Sequence, residues 1–263
     1  MDFKDATDHM PETMHLYLRA TVVATLSMCA ACAAGPRGAA PAQPSGLGNN
    51  FIADSQVADS EIDWDFRAQR PVVDSVDRKV SALRTMEHRV PGDSSRMAIV
   101  VQWLPPYSLT DSLIVARRTL WPIEESGVSP SVRFRYRYDG PHVTGMIQRG
   151  DSAARQVDVT YDQPVFAFNQ LDRLVRSLRY RPGLSVVVPL FSEMDVDLEH
   201  DTLTVVTDTV ARGDRAWIVR FADPVIVRHY LVEAGSRQIV KSETRQRKSG
   251  LIFRQVRQAK SSD

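Results

Sequence analysis

Seven residues constrain the fold more than any others: Val132–Tyr138, VRFRYRY. Successive side chains on a strand point to opposite faces, so Arg133, Arg135 and Arg137 share one face and Phe134, Tyr136 and Tyr138 the other. One wet face and one packed face belong to an antiparallel sheet, since buried parallel strands are apolar on both. Similar runs recur at 95–104 (SRMAIVVQWL), 111–120, 155–161, 184–190, 202–211, 216–222, 225–233, 237–246 and 251–258. Turn clusters punctuate the β-rich part of the chain: PGDSS at 91–95, YDGP at 138–141, RGDS at 149–152, RGDR at 212–215, EAGS at 233–236 and KSG at 248–250. Punctuation of this kind predicts consecutive hairpins.

One segment departs from the alternation. In 162–178, DQPVFAFNQLDRLVRSL, Phe168, Leu171, Leu174, Val175 and Leu178 recur at three- and four-residue spacing. Pro164 suits a first helical turn and Asp162 or Gln163 a cap, which predicts one amphipathic helix of about 12 residues. It ends before Arg181-Pro182-Gly183. The expected fold class is therefore mainly β (α+β). A curved antiparallel sheet or half-barrel of roughly ten strands carries one helix on its concave face, over residues 77–260. Residues 51–76, with Phe51, Ile52, Ile62, Trp64 and Phe66 scattered among acids, read as an irregular lead-in. Residues 35–50, GPRGAAPAQPSGLGNN, read as a flexible linker.

The front of the chain reads as an export signal. His15 and Arg19 precede a stretch from Ala20 to Gly35 that carries no charge and ends in small residues. It is shorter than the roughly 20 apolar residues of a membrane span and matches a signal-peptide core. The acids Asp2, Asp5, Asp8 and Glu12 are foreign to such a signal, which points to Met14 as the true start and to residues 1–34 as the removed segment. Two processing routes fit. Cys32, preceded by Cys29, Ala30 and Ala31, fits the last two positions of a lipoprotein cleavage triplet but not the first, and would be the lipidated residue. Ordinary cleavage after Ala33 or Ala34 accounts for the same letters. The expected location is the periplasm or outer membrane.

Charge excludes one class of partner. With 33 Lys+Arg against 32 Asp+Glu, the chain is near neutral. A mature chain without residues 1–34 keeps 31 bases and 28 acids. A dedicated nucleic-acid binder would be strongly basic. The two cysteines, Cys29 and Cys32, both lie in the signal, so the folded part has neither a disulfide framework nor a cysteine metal site.

The order of elements carries a resemblance. An exported start is followed by DSLIVARRTLWPIEES, then VRFRYRYDGPHVTGMI, a Pro-led helix and VIVRHYLVEAGSRQIVKSETRQ. Within the last, Tyr230, Leu231, Val232, Glu233, Ala234, Gly235, Ser236 and Arg237 read as aromatic, acid, turn, arginine. Over residues 77–258 the chain resembles the periplasmic half-barrel domains of the LolA/LolB lipoprotein-carrier superfamily. The resemblance implies a curved sheet wrapped on a helix, with an apolar cavity that holds acyl chains in relatives. It transfers no functional residue.

Chemical motifs are few. His88, His142, His200 and His229 stand apart on strands or turns with no metal-ligand spacing, so no metal site and no cofactor are expected. No serine sits in a G-x-S-x-G elbow. The acids Glu124-Glu125 and Asp195, Asp197 and Glu199 could do acid–base work in a cleft, but a solvated strand face explains them better. The Arg-Gly-Asp tripeptides at 149–151 and 212–214 are what tight turns require. Arg133, Arg135 and Arg137 with Lys241, Arg245, Arg247, Lys248, Arg254, Arg257 and Lys260 could form a basic face toward an anionic envelope surface.

The leading expectation is a non-catalytic cell-envelope protein that binds or carries a lipid-like, apolar ligand. Trp103, Phe134, Tyr136, Phe166, Phe168, Leu171, Val175 and Trp217 are the candidates for its cavity, and equally for the core. The alternative is an envelope structural or interaction protein that uses the basic strand face and holds no ligand. A void between helix and sheet separates the two.

Overall fold

A computed structural model describes residues 50–51, 59–70, 74–211 and 213–258, all within the unit that spans Ala42–Asp263. The segment expected to be an export signal, Cys32 and nearly all of the expected linker lie outside the described residues.

Among the described residues, fifteen strands form one sheet. They are β1 (Ser60–Arg70), β2 (Asp74–Val90), β3 (Asp93–Trp103), β4 (Thr110–Ala116), β5 (Pro122–Val128), β6 (Val132–Asp139), β7 (His142–Arg149) and β8 (Arg155–Thr160). After β9 (Phe166–Ala167) and a 3-10 turn (Phe168–Gln170) comes the α-helix α1 (Leu171–Ser177). The rest are β10 (Ser185–Ser192), β11 (Asp197–Ala211), β12 (Asp214–Ala222), β13 (Ile226–Glu233), β14 (Ile239–Gln246) and β15 (Ile252–Arg257). The spatial order is β8-β7-β6-β5-β4-β3-β2-β1-β15-β14-β13-β12-β11-β10-β9. Two antiparallel meanders are joined where β1 pairs with β15, and among the described residues the only parallel pairing is β9 with β10.

The alternation in β6 is borne out. Val132, Phe134, Tyr136 and Tyr138 are buried, and Arg133, Arg135 and Arg137 are exposed. The punctuation is also where the hairpins turn: Gly140 between β6 and β7 and Gly150 after β7 take φ of 60° and 52°, which a side chain disfavours. The Arg-Gly-Asp at 149–151 stands at such a turn after β7; of the second, Gly213 (φ 90°) and Asp214 lead into β12, and Arg212 lies outside the described residues.

The expectation of roughly ten strands is corrected to fifteen. The five missed are β1, β2, β5, β7 and β9. β1 falls in the segment read as irregular, yet Ile62, Trp64 and Phe66 alternate inward between outward acids. Those acids pair with β2 rather than marking a loop: Arg84 Nε meets Asp63 Oδ1 at 2.7 Å and Lys79 Nζ meets Asp65 Oδ1 at 2.6 Å. The inward residues of β2 are Ser81, Leu83, Thr85 and Glu87, with a single large apolar residue among them, so no hydrophobic period shows. β5 and β7 each present a glycine inward. A Cβ on Gly127 would fall 2.3 Å from the Phe134 ring, and one on Gly145 2.0 Å from the Arg135 carbonyl oxygen.

The helix is shorter than the pattern predicts. Phe166 and Ala167 are extended because they pair with Leu190 and Phe191 of β10, so the helical run starts at Phe168. At its end Leu178 is extended and bridges Phe51.

The sheet rolls round this helix. β6 and β10 stand third and fourteenth in the strand order, yet Phe191 of β10 packs edge-on against Tyr136 and Tyr138 of β6, with centroids 5.2 and 5.9 Å apart. Phe166 of β9 stacks on Trp121, just before β5, at 4.6 Å. Opposite ends of the order therefore touch through side chains, while the edge strands β8 and β9 are not hydrogen-bonded to each other. Leu171, Leu174 and Val175 sit in the enclosed core with residues from both halves of the sheet. No described helix is long and apolar enough to cross a membrane.

Candidate functional site: polar clusters around the enclosed helix

A helix enclosed by a sheet must bury its polar face as well as its apolar one, and buried polar groups need partners. Asn169, in the 3-10 turn, meets three acids from different strands. Its Nδ2 donates to Asp111 Oδ2 on β4, to Glu125 Oε1 on β5 at 3.1 Å and to Glu193 Oε1 just after β10 at 3.3 Å. Asp111 and Glu125 face inward because they fall in register with Leu113 and Val115 on β4 and with Gly127 on β5. Tyr138 Oη donates to the other oxygen of Glu125 at 2.5 Å, and Tyr136 Oη donates to the Glu193 carbonyl at 2.8 Å.

An amide nitrogen has two hydrogens, so three carboxylates cannot all be satisfied by it. All three acids are buried. Burial, and then repulsion from Glu125 and Glu193, pushes Asp111 well above the usual carboxyl range. Burial likewise raises Glu125 and, with repulsion from Glu125, Glu193. The trio therefore retains protons that exposed carboxyls would release at neutral pH.

Further along the helix, buried ion pairs hold it to the sheet. Arg173 and Arg176 both donate to Glu87 Oε2 on β2, at 2.7 and 2.5 Å, and Arg176 also reaches Ser60 Oγ on β1 at 3.0 Å. Burial raises Asp172, while Arg228 and a hydrogen bond with Tyr230 lower it. The helix C-terminus is capped from the β13–β14 turn. Arg237 Nε donates to the Arg176 carbonyl at 2.7 Å, its Nη2 donates to the Leu178 carbonyl, and the guanidinium lies 4.3 Å from the Tyr180 ring centroid. A cation on the last free carbonyls of a helix satisfies them and opposes the helix dipole. Arg237 closes the aromatic–acid–turn–arginine sequence of 230–237, so that pattern has a local structural meaning here.

Between α1 and the sheet lies a cavity of about 30 Å³, lined among others by Ser60, Trp64, Glu87, Asn169, Arg173 and Arg176. That is room for a water or two. Ligand pockets run from about 300 Å³ upward.

None of the eight apolar candidates lines this cavity. Phe134, Tyr136, Phe166, Leu171, Val175 and Trp217 belong to the buried core, and Trp103 and Phe168 pack against it half-buried. Their ring contacts are separate: Phe134 stacks on Tyr136 at 5.4 Å, Phe168 meets Phe221 at 6.2 Å, and Trp217 stacks on Tyr180 at 5.7 Å. Trp103 sits against Phe66 at 4.9 Å and Tyr107 at 5.8 Å.

The acid pair Glu124-Glu125 is split by the pleat. Glu125 joins the trio, and Glu124 lies outside, 3.9 Å from Arg135. Asp195 accepts from Ser192 in the β10–β11 turn, and Asp197 starts β11. The histidines do not converge: His142 meets Asp158 at 2.8 Å, and His200 meets Gln163 at 2.8 Å. The basic residues stand at two places in the strand order, Arg133, Arg135 and Arg137 on β6 and Lys241, Arg245, Arg254 and Arg257 on β14 and β15, and Lys260 lies outside the described residues. β6 is third in the order, and β15 and β14 are ninth and tenth. Arg254 is tied to Glu243 at 2.8 Å and Asp77 at 3.4 Å.

Asp111, Asn169, Glu193, Glu87, Arg173 and Arg176 had no sequence signal as a group. The readable one was local: three charges at 172, 173 and 176 on a helix that the strand count leaves little room to expose.

No family model matches the chain, and no curated protein matches it. Among solved structures it is similar to a beta-barrel-like protein of a domain of unknown function, DUF1849, from Brucella abortus. That likeness has a TM-score of 0.49 at 8% identity and covers 77% of this chain and 97% of the other.

Proposed function

We propose that this is an exported, non-enzymatic cell-envelope protein that acts through its outer strand faces and not by carrying an apolar ligand beneath its helix. The observation that carries this reading is the roughly 30 Å³ between α1 and the sheet, against the several hundred an acyl ligand needs. The helix is pinned there by Glu87 and capped by Arg237, so opening the space means breaking buried ion pairs. Its anionic partner is an envelope surface met by Arg133, Arg135 and Arg137, which project from one face of β6.

Cosedimentation with vesicles of anionic phospholipid, against zwitterionic ones, tests the reading. Binding that falls with salt and is lost in the triple variant R133E/R135E/R137E is expected. Equal binding by the variant overturns it. A lipid carrier is the second reading, favoured by half-buried Trp103 beside Phe66 and Tyr107, with Leu104 42% exposed at the same strand end. Native mass spectrometry of protein purified from its own envelope, followed by lipid extraction, separates the two: near-stoichiometric acyl species would make it a carrier.

A further inference from the structure

A second acidic cluster lies away from the helix. Glu199 and Asp201 are two residues apart on β11 and so share a face, the inward one that continues with Leu203 and Val205. Asp223 directly follows Ala222 of β12, which pairs with Thr202, so the chain sets Asp223 beside Asp201 across the two strands. One carboxylate oxygen from each of the three lies within 4.8 Å of the others. Their neighbour His200 points to the other face, where it meets Gln163.

Asp201 sets this cluster apart from an ordinary solvated acidic patch. It is 1% exposed, and neither carboxylate oxygen has a hydrogen-bond partner. A buried carboxylate without a donor is an unmet demand for positive charge. The other buried acids described above, Asp111, Glu125, Glu193 and Glu87, each have at least one carboxylate oxygen met by an amide, a hydroxyl or a guanidinium. Asp223, by contrast, is fixed through Oδ1, which accepts the backbone N–H groups of Val225 and Ile226 at 2.5 and 2.6 Å.

We propose that Glu199, Asp201 and Asp223 form a binding site for a hard divalent cation of the calcium class. The donor set is oxygen only, which suits calcium or magnesium and not a soft metal. Two oxygens on opposite sides of a calcium ion, at about 2.3–2.6 Å each, span roughly 5 Å. Magnesium bonds are shorter, about 2.0–2.1 Å, so three oxygens lying within 4.8 Å of one another must close in less to share calcium. Glu199 and Asp223 are half-buried, which leaves water free to complete the shell. Nearby Arg228 and Arg247 offset part of the negative charge, which points to modest affinity. The cation would clip β11 to the start of the β12–β13 turn.

The test is isothermal titration of the chelator-treated full chain with calcium chloride, at fixed ionic strength, with magnesium chloride as comparison. Saturable one-to-one binding, tighter for calcium, is expected, with a calcium-dependent rise in Tm. Asp201→Asn should abolish both. Should that variant fail to fold, Glu199→Gln, which alters a half-exposed group, should weaken binding by about tenfold or more. No saturable heat from the wild-type chain, or unchanged affinity in Glu199→Gln, overturns the proposal.

Discussion

Gly145 shows how a single backbone position sets the register of the roll. Its φ is 153°, and a Cβ there would sit 2.0 Å from the Arg135 carbonyl oxygen and 2.9 Å from the Tyr136 Cα. The absence of a side chain lets β7 close on β6 at the point where Tyr136 turns inward to reach Glu193 and Phe191. Gly127 does similar work on β5, where the Phe134 ring fills the space a methyl would take. Replacing Gly145 by Ala is therefore expected to cost roughly 3 kcal/mol through strain and displaced backbone. Urea unfolding measures it. A loss below about 0.5 kcal/mol, the range of an indifferent surface substitution, would show that the strand pair absorbs a Cβ freely.

At the scale of elements, the helix is held by buried charge as well as by its apolar stripe. Glu87 accepts from two guanidiniums whose side chains are 0% and 2% exposed. Glu87→Gln leaves two buried cations facing a neutral amide and is expected to destabilise the fold by about 3–5 kcal/mol. Arg173→Met in that background should recover part of the loss, because it removes one of the stranded charges. A double-mutant cycle by chemical denaturation reads the coupling, and additive losses would mean that Glu87 does not bind the pair as a unit. These contacts also explain what could be read from the sequence. β6 was legible because its inner face is Phe134, Tyr136 and Tyr138 and its outer face arginine. β2 was not, because its inner face is Ser81, Leu83, Thr85 and Glu87, chosen to receive Trp64 and two arginines rather than to look apolar. The stripe from Phe168 to Leu178 announced a helix. It did not announce that Phe166 and Ala167 would be claimed by β10, since strand pairing between distant segments leaves no local period. The acid trio was hidden for the same reason: Asp111, Glu125 and Glu193 lie 58, 44 and 24 residues from the Asn169 they share.

At the scale of the whole molecule, the buried acids bias its response to pH. Asp111, Glu125, Glu193, Asp172, Glu199, Asp201 and Asp223 are all raised, with burial the largest cause in each. A carboxyl raised in the folded state keeps its proton where the unfolded chain, titrating near 4, has lost it. Stability linked to these groups is thus fully present below about pH 4 and is lost as pH climbs through the folded values, which reach about 7 for Glu199 and about 8 for Asp201. Each retained proton contributes a slope of about 1.4 kcal/mol per pH unit in that window. Exposed acids that are lowered, Asp65 by Lys79 and Asp93 by Ser95, pull the other way, but solvent screens such groups. The net expectation, with a chelator present, is a Tm that is highest at mildly acidic pH, falls toward pH 8 and levels off beyond it. Glu125→Gln, which cannot take up or release a proton, should flatten the part of that slope owed to the Asn169 trio while leaving the part owed to Asp201. Differential scanning calorimetry across this range decides the matter: a Tm that rises from pH 5 to pH 8 would mean that the interior acids are ionised and paired, and that the rolled sheet encloses no store of protons.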